Sequence, residues 1–405
     1  MIGERLRQAR LAAAMTQDQV VVALRSHGAS LTKAGLSKYE RGGSVPAPNL
    51  LMKLARVLRV RPDYFVQDPQ VSIAWLGFRK RATLGKRRQD RIKAVVADAV
   101  TAQVWLEEKL FPKKATAPLR PQKVNTLKKA EVAAGRVRQA WHLGDQAIES
   151  MTEVIEDRRG VVVECAEEVG EFDGLAGWAN ASYPVVAVSG AVSVDRRRFN
   201  LAHELGHLAI CSEGLDSRRA EELAYRFAAA FIVPAHIAYR ELGKRRRTLT
   251  LGELAILKQK HGLSMQAWAR RAFDLGIITR GHYAALCRHF SAKGWRKQEP
   301  VAFEGSERPR RLGQLTLRAL AEGIIGPDRA EELCPGCTKD LPPLPGKPTS
   351  EYTSPLEIRR LPAKTRDKLL ARAAGLLQED YREDKKLTGF EAHSEEDLHD
   401  ESLKG

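Results

Sequence analysis

The stretch Phe199–Leu208, FNLAHELGHL, decides the fold of the larger part of this chain. It holds two histidines four residues apart, with a glutamate directly after the first. No proline interrupts Phe199–Ile210, and the apolar spacing is helical. On a 3.6-residue wheel His203 and His207 fall about 40° apart, so both imidazoles can reach one ion. Glu204 lies about 100° round from His203, beside the ion rather than on it, suited to holding a water. Leu201, Leu205 and Leu208 fill the opposite face, so the helix is predicted to be buried. Two buried histidines each need a polar partner, and a shared zinc supplies one for both.

A catalytic zinc takes a third protein ligand and keeps a fourth position open. The stretch RRAEELAYRFAAAFIVP (218–234) offers that ligand on a second helix ended by Pro234. Glu221, Ala224 and Ala228 share one face, at i, i+3 and i+7. The carboxylate therefore sits among small residues that allow close helix approach. Glu222 points about 100° away and stays open as the alternative ligand.

The chain has 405 residues, long enough for two or three domains. Its 5 cysteines (Cys165, Cys211, Cys287, Cys334, Cys337) are odd in number and scattered, which argues against a disulfide framework. The pair in CPGC (334–337) has no second CxxC and reads as a loop. No apolar run approaches the roughly 18 residues of a membrane span, and MIGERLRQAR does not read as a signal peptide. The expectation is a cytoplasmic protein with no membrane partner. The net charge of +17 is unevenly placed: residues 1–130 hold 26 Lys/Arg against 9 Asp/Glu, and the rest are balanced at 41 against 41. Clustered positive charge of this kind is rewarded by phosphate backbones through counterion release.

The N-terminal pattern is consistent with that partner. Residues 2–13 carry Ile2, Leu6, Ala9 and Ala13 on one helical face. Thr16 caps a second helix, and a Gly-containing turn (Ser26 to Ser30) follows. Thr32 caps a third helix that Gly42–Gly43 stop. Pro48 starts a fourth and RPDYFV gives a short fifth. Five short helices in about 65 residues, with a turn between the second and third, is helix-turn-helix organisation. From ERLRQARLAAAMTQDQV through LSKYERG to LARVLRVRPDYF, the segment resembles the Cro/CI-like (XRE) family. The resemblance implies that the third helix enters the major groove of an operator. Lys33, Ala34, Ser37 and Lys38 would then face bases and Gln17 would hold a phosphate. It also implies a structural pair between Glu40 and Arg10.

A second resemblance covers roughly 130–335. It is carried by VDRRRFNLAHELGHLAI, EELAYRFAAAFIVP, GLSMQAWARRAFDLGIIT and GWRKQEP, which are similar to the ImmA/IrrE family of metallo-endopeptidases. It implies zinc held by His203, His207 and Glu221, with Glu204 as general base in peptide hydrolysis. Asn200 stands where Thr is usual in the family, and Tyr225 where Asn is common. Tyr225, His236 and Tyr239 are candidate oxyanion donors by nearness in sequence.

The expected fold is multidomain. An all-α five-helix helix-turn-helix domain (1–70) and a basic helical connector with linker (71–124) come first. An α+β zincin-like metallopeptidase domain with a small sheet and the HExxH helix (125–335) follows, with VVVEC (161–165) and PVVAVS (184–189) as strands. A Pro-rich linker (336–355) leads to a helical or disordered tail (356–405). In the tail, Leu369, Leu370, Ala373, Leu376, Leu377 and Tyr381 form an apolar stripe. The last 24 residues, 382–405, hold 8 acidic and 4 basic residues. Taken together, the expected function is that of a DNA-binding regulator, expected to be a homodimer, whose zinc endopeptidase domain cleaves a regulatory protein such as a repressor, an antitoxin or itself. The alternative is an antitoxin that represses its operon and neutralises a toxin, with the zincin domain non-proteolytic.

Overall fold

Caps and prolines set the ends of the N-terminal helices: α1 (Ile2–Ala12), α2 (Gln17–Ser26), α3 (Lys33–Glu40) and α4 (Pro48–Leu58), followed by a 3-10 turn, Pro62–Phe65. Thr16 and Gln19 form a reciprocal capping box on α2, Thr32 caps α3, and Pro48 occupies the first turn of α4. The helices close over Leu6, Val20, Leu24, Leu36, Leu54 and Phe65, all fully buried. This is the five-element helix-turn-helix order read from the sequence.

The computed structural model describes residues 2–65, 71–80, 85–112, 119–165, 172–211, 213–296, 298–337, 362, 365–368 and 371. Residues 1–338 form one compact unit and 339–405 a second. In the second, Thr365 and Arg366 donate their amides to the Pro362 carbonyl in a helical turn. The apolar stripe read at Leu369, Leu370, Ala373, Leu376, Leu377 and Tyr381 lies outside the described residues, as does most of the linker before it.

The larger domain is built on a four-stranded sheet in the order β1-β4-β5-β3. Its strands are β1 (Ile73–Lys80), β3 (Val161–Cys165), β4 (Phe172–Ala179) and β5 (Tyr183–Ser189). β3 and β5 are parallel, while β4 runs antiparallel to both of its neighbours. The strands read at 161–165 and 184–189 are β3 and β5, buried on both faces as a continuous apolar run predicts. Residues 73–80 and 86–110, part of the stretch read as a basic helical connector, form the edge strand β1 and the long helix α5 (Lys86–Leu110). Ile92, Val96, Val100 and Val104 of α5 cover one face of the sheet, against Leu175, Val185 and Ala187.

The other face carries the helices that build the site. They are α6 (Leu127–Ala140), α7 (Met151–Glu156), α8 (Val194–Ala209) and α9 (Ser217–Ile232). Beyond them lie α10 (Ala235–Leu242), α11 (Leu251–His261), α12 (Met265–Asp274), α13 (Arg280–Ala292), α14 (Arg311–Ala321) and α15 (Pro327–Leu333). A short parallel pair, β2 (Gln122–Lys123) with β6 (Ile210–Cys211), ties the segment before α6 to the end of α8. The main core joins Ala176 and Val186 of the sheet to Leu201, Leu205, Phe227, Phe231 and Trp268 of the helices.

The helix-turn-helix domain is fastened to α5 by Arg87, which donates to the Ala14 carbonyl and to Gln19 Oε1, and by the Asp98 carboxylate. Gln8 Nε2 and Tyr64 Oη each donate to Asp98 Oδ1 at 2.8 Å, with Arg5 Nη1 at 3.7 Å. Burial pushes the Asp98 carboxyl up to about 6, against the lowering effect of Tyr64, Arg5 and Gln8. A carboxyl raised on folding stabilises most fully below its ordinary value of 3.8 and loses that contribution as pH rises through about 6. Asp98 is therefore expected to contribute a fall in Tm between about pH 4 and pH 7, and Asp98→Asn to remove that contribution. Identical Tm–pH slopes for the two proteins would contradict this.

Candidate metal centre and DNA-reading helix

The N-terminal half of α8 anchors the helix to the sheet. Arg197 donates to Glu164 Oε2 at 2.8 Å and to the Gly190 carbonyl at 2.6 Å. Arg196 pairs with Asp173 at 3.0 Å, and Asn200 Nδ2 donates to the Asp173 carbonyl at 3.3 Å. Asp173 is skipped in the β1–β4 pairing, where Arg79 faces Gly174 and Lys80 faces Phe172. This bulge puts Gly174 on the α8 face of the sheet. Asn200, the departure from the family's usual Thr, thus ties α8 to that bulge.

The C-terminal half of α8 presents the histidines to α9. Gly206 allows the close crossing: a Cβ there would meet Phe227 Cδ1 at 3.1 Å and the Ala224 carbonyl at 3.2 Å. The small residues expected on α9 are thus matched by one on α8. His203 Nε2 and His207 Nε2 lie 3.1 Å apart. Glu221 Oε2 is 3.3 Å from His203 Nε2, and Glu221 Oε1 is 3.2 Å from His207 Nε2. A tetrahedral ion with nitrogen and oxygen ligands at about 2.0–2.1 Å keeps them about 3.3 Å apart, so the three donors fit its edges. Among the described residues they are the one His/Cys/Asp/Glu group close enough to hold a metal. Glu222 turns instead to Arg218 and Arg219.

Burial would raise the Glu221 carboxyl, but the hydrogen bonds and charges of His203 and His207 outweigh it and hold the group well below the usual carboxylate range. The His203 side chain is fully buried, whereas His207 is 21% and Glu221 35% exposed, so the site opens on the side of those two.

Glu204 is 2% exposed and stands over Gly174 of β4. A Cβ at position 174 would overlap Glu204 Oε1 and lie 2.6 Å from its Cδ. Gly174 is thus a residue of the site that sequence reasoning missed, since a glycine reads locally as a turn or bulge signal. The three candidate oxyanion donors separate. His236 pairs with Asp145 at 2.8 Å and Tyr239 donates to the Leu275 carbonyl at 3.2 Å. Tyr225 stays at the site, its ring 4.5 Å from that of His203.

On α3, Lys33, Ala34 and Lys38 are exposed and Ser37 is half-buried, while Leu36 and Glu40 turn inward. One helix face is thus offered outward, with Lys33 held to Asp18 at 2.8 Å. Arg10 grips Glu40 through both carboxylate oxygens, at 2.5 and 2.9 Å. Gln17 Nε2 donates to the same carboxylate at 2.8 Å, which commits one of its two amide hydrogens inside the domain.

Behind the helix-turn-helix, a four-stranded sheet carries a buried helix with two histidines four apart, and the next helix brings in a carboxylate beside them. Residues 157–273 match the family model described as the IrrE N-terminal-like domain, and residues 6–65 match that described as helix-turn-helix. The chain therefore carries an XRE-type DNA-binding domain followed by a peptidase domain of the ImmA/IrrE type. No curated protein matches the chain. Among the described residues, no helix is long and apolar enough to cross a membrane.

Proposed function

We propose that this chain is a cytoplasmic transcriptional regulator, dimeric on its operator, whose zinc-dependent endopeptidase domain cleaves a regulatory protein. That protein is a repressor, an antitoxin or a second copy of the chain. The DNA-reading unit is 1–70, and the peptidase unit, 125–335, is completed by β1 and α5, which edge and cover its sheet. The observation that carries the reading is the convergence of His203, His207 and Glu221, with Glu204 seated over Gly174. His203, His207 and Glu221 would hold the zinc. When bound, zinc supplies a Lewis acid that polarises a peptide carbonyl and acidifies a water. Glu204 accepts the proton of the attacking water and passes it to the leaving amine nitrogen. Its burial beside the sheet excludes bulk water from that carboxylate and holds its position.

The DNA half of the proposal is tested with the full chain against a library of genomic fragments. Binding is expected to select a palindromic site and to weaken steeply as salt rises. Lys38→Ala is expected to cost about 1–3 kcal/mol if the ammonium group reaches a base edge. Lys33→Ala is expected to cost less, because Asp18 already competes for that ammonium group. Absent or salt-insensitive binding would count against the reading.

The acidic composition of 382–405 supports a second reading. In it, the tail wraps a basic toxin encoded nearby and the zincin domain does not cleave. Co-purification of the neighbouring small protein with the full chain but not with a 1–340 truncation would favour that reading.

A further inference from the structure

A cleft of about 1060 Å³ begins where the metal centre ends. It runs along the N-terminal half of α8 and the exposed side of α9, and is closed by α12, α13, Trp295, Arg296 and residues 298–303. Two aromatic rings link it to the metal site. Tyr225 lies against His203 and stacks on Phe199, with ring centroids 6.0 Å apart, and both rings line the cleft. Tyr283, Trp295 and Phe303 complete an aromatic wall. Tyr283 is held by stacking on Phe273 at 4.9 Å.

The same wall contains charged residues, but they face one another. Lys258, 2% exposed, is clamped between Asp195 at 3.2 Å and Glu299 at 2.8 Å. Arg226 pairs with Asp274 at 3.2 Å and with Glu131 at 3.1 Å, and Arg270 reaches Asp274 at 2.9 Å. Glu222 pairs with Arg219 at 2.9 Å. Each wall carboxylate thus has a cation within 3.2 Å, and Arg196 of the wall pairs with Asp173 at 3.0 Å, so the charges around the cleft are largely paired. Arg296 is exposed at the mouth.

A concave, aromatic-walled space with internally paired charges suits uncharged apolar groups. Its volume is at the upper end for small-ligand sites, about 300–1000 Å³, and so exceeds the needs of one side chain. We propose that this cleft is the specificity subsite of the metal centre. It receives two or three residues of an extended peptide that carry bulky, uncharged side chains, aromatic or branched aliphatic. The inference deepens the peptidase reading and rests on it for the statement that the bound peptide is a substrate.

Binding is measured apart from cleavage, on the full-length Glu204→Gln protein, with fluorescent hexapeptides on an alanine background. One peptide carries Phe-Leu, one carries Glu-Glu, and one is alanine throughout. The Phe-Leu peptide is expected to bind at least about tenfold more tightly than the other two, the scale of discrimination a hydrophobic pocket gives. Filling the cleft with Ala229→Phe, or at its exposed rim with Ala302→Trp, is expected to remove that preference. The rim variant keeps the test in hand if the α9 variant fails to fold. Preference for the Glu-Glu peptide, as Arg296 alone would dictate, or an unchanged Phe-Leu preference in Ala302→Trp, would overturn the subsite. If peptides bind as expected but the native chain cleaves none of them, the peptidase reading fails while the cleft stands as a peptide-binding site.

Discussion

Glu204→Gln is expected to keep its metal and to lose about 10²–10⁴ of the peptide-cleaving turnover. The amide has nearly the shape of the carboxylate and fits the same place over Gly174. What it lacks is a basic oxygen to accept the water proton. His203, His207 and Glu221, the proposed metal ligands, are untouched, so metal content and Tm should match those of the native chain. Cleavage by Glu204→Gln at the native rate would refute the role of this residue.

Glu307→Ala is expected to destabilise the peptidase domain by about 3–5 kcal/mol, the usual cost of orphaning a buried charge. Arg198 and Glu307 are both fully buried, with Nη1 and Oε1 2.7 Å apart. The same carboxylate accepts the backbone amides of Met151 at 3.1 Å and Thr152 at 2.9 Å, at the start of α7. The alanine variant therefore leaves a guanidinium with only the Ile148 and Glu149 carbonyls and strips two amides of their acceptor. Glu307→Gln, whose carbonyl can still accept, should lose clearly less. Pairing Glu307→Leu with Arg198→Met should recover only part of the loss, since the α7 amides stay unsatisfied. An unfolding free energy for Glu307→Ala within about 1 kcal/mol of native would contradict the assignment of Glu307 as the buried partner of Arg198 and the α7 amides.

Features with a local cause were legible in the sequence. Thr16, Thr32 and Pro48 mark helix starts because a cap acts within three residues of itself. His203 and His207 could be paired because helical geometry fixes where i and i+4 point, and Glu221 followed from the small face it shares with Ala224 and Ala228. Features with a remote cause were not. β4, FDGLAGWA, has weak strand character because Gly174 and Gly177 replace branched residues. They do so for reasons lying elsewhere in the chain: the space over Gly174 belongs to Glu204, and that over Gly177 to Trp75 and Ile73. β1 was obscured by the basic residues at its end, a common feature of edge strands. Glu307 lies 109 residues from Arg198, and no periodicity connects positions so far apart. Tyr225 was singled out as a departure from the family pattern, but only the fold shows that its ring joins the metal site to the aromatic cleft.

The proposed function rests on three side chains placed to hold one metal ion, and the zinc content of the purified full-length chain tests it most directly. About one zinc per chain is expected in the native protein and in Glu204→Gln, and less than about a tenth of that in His203→Ala and in His207→Ala. Full zinc content in the His203→Ala/His207→Ala double variant would contradict it.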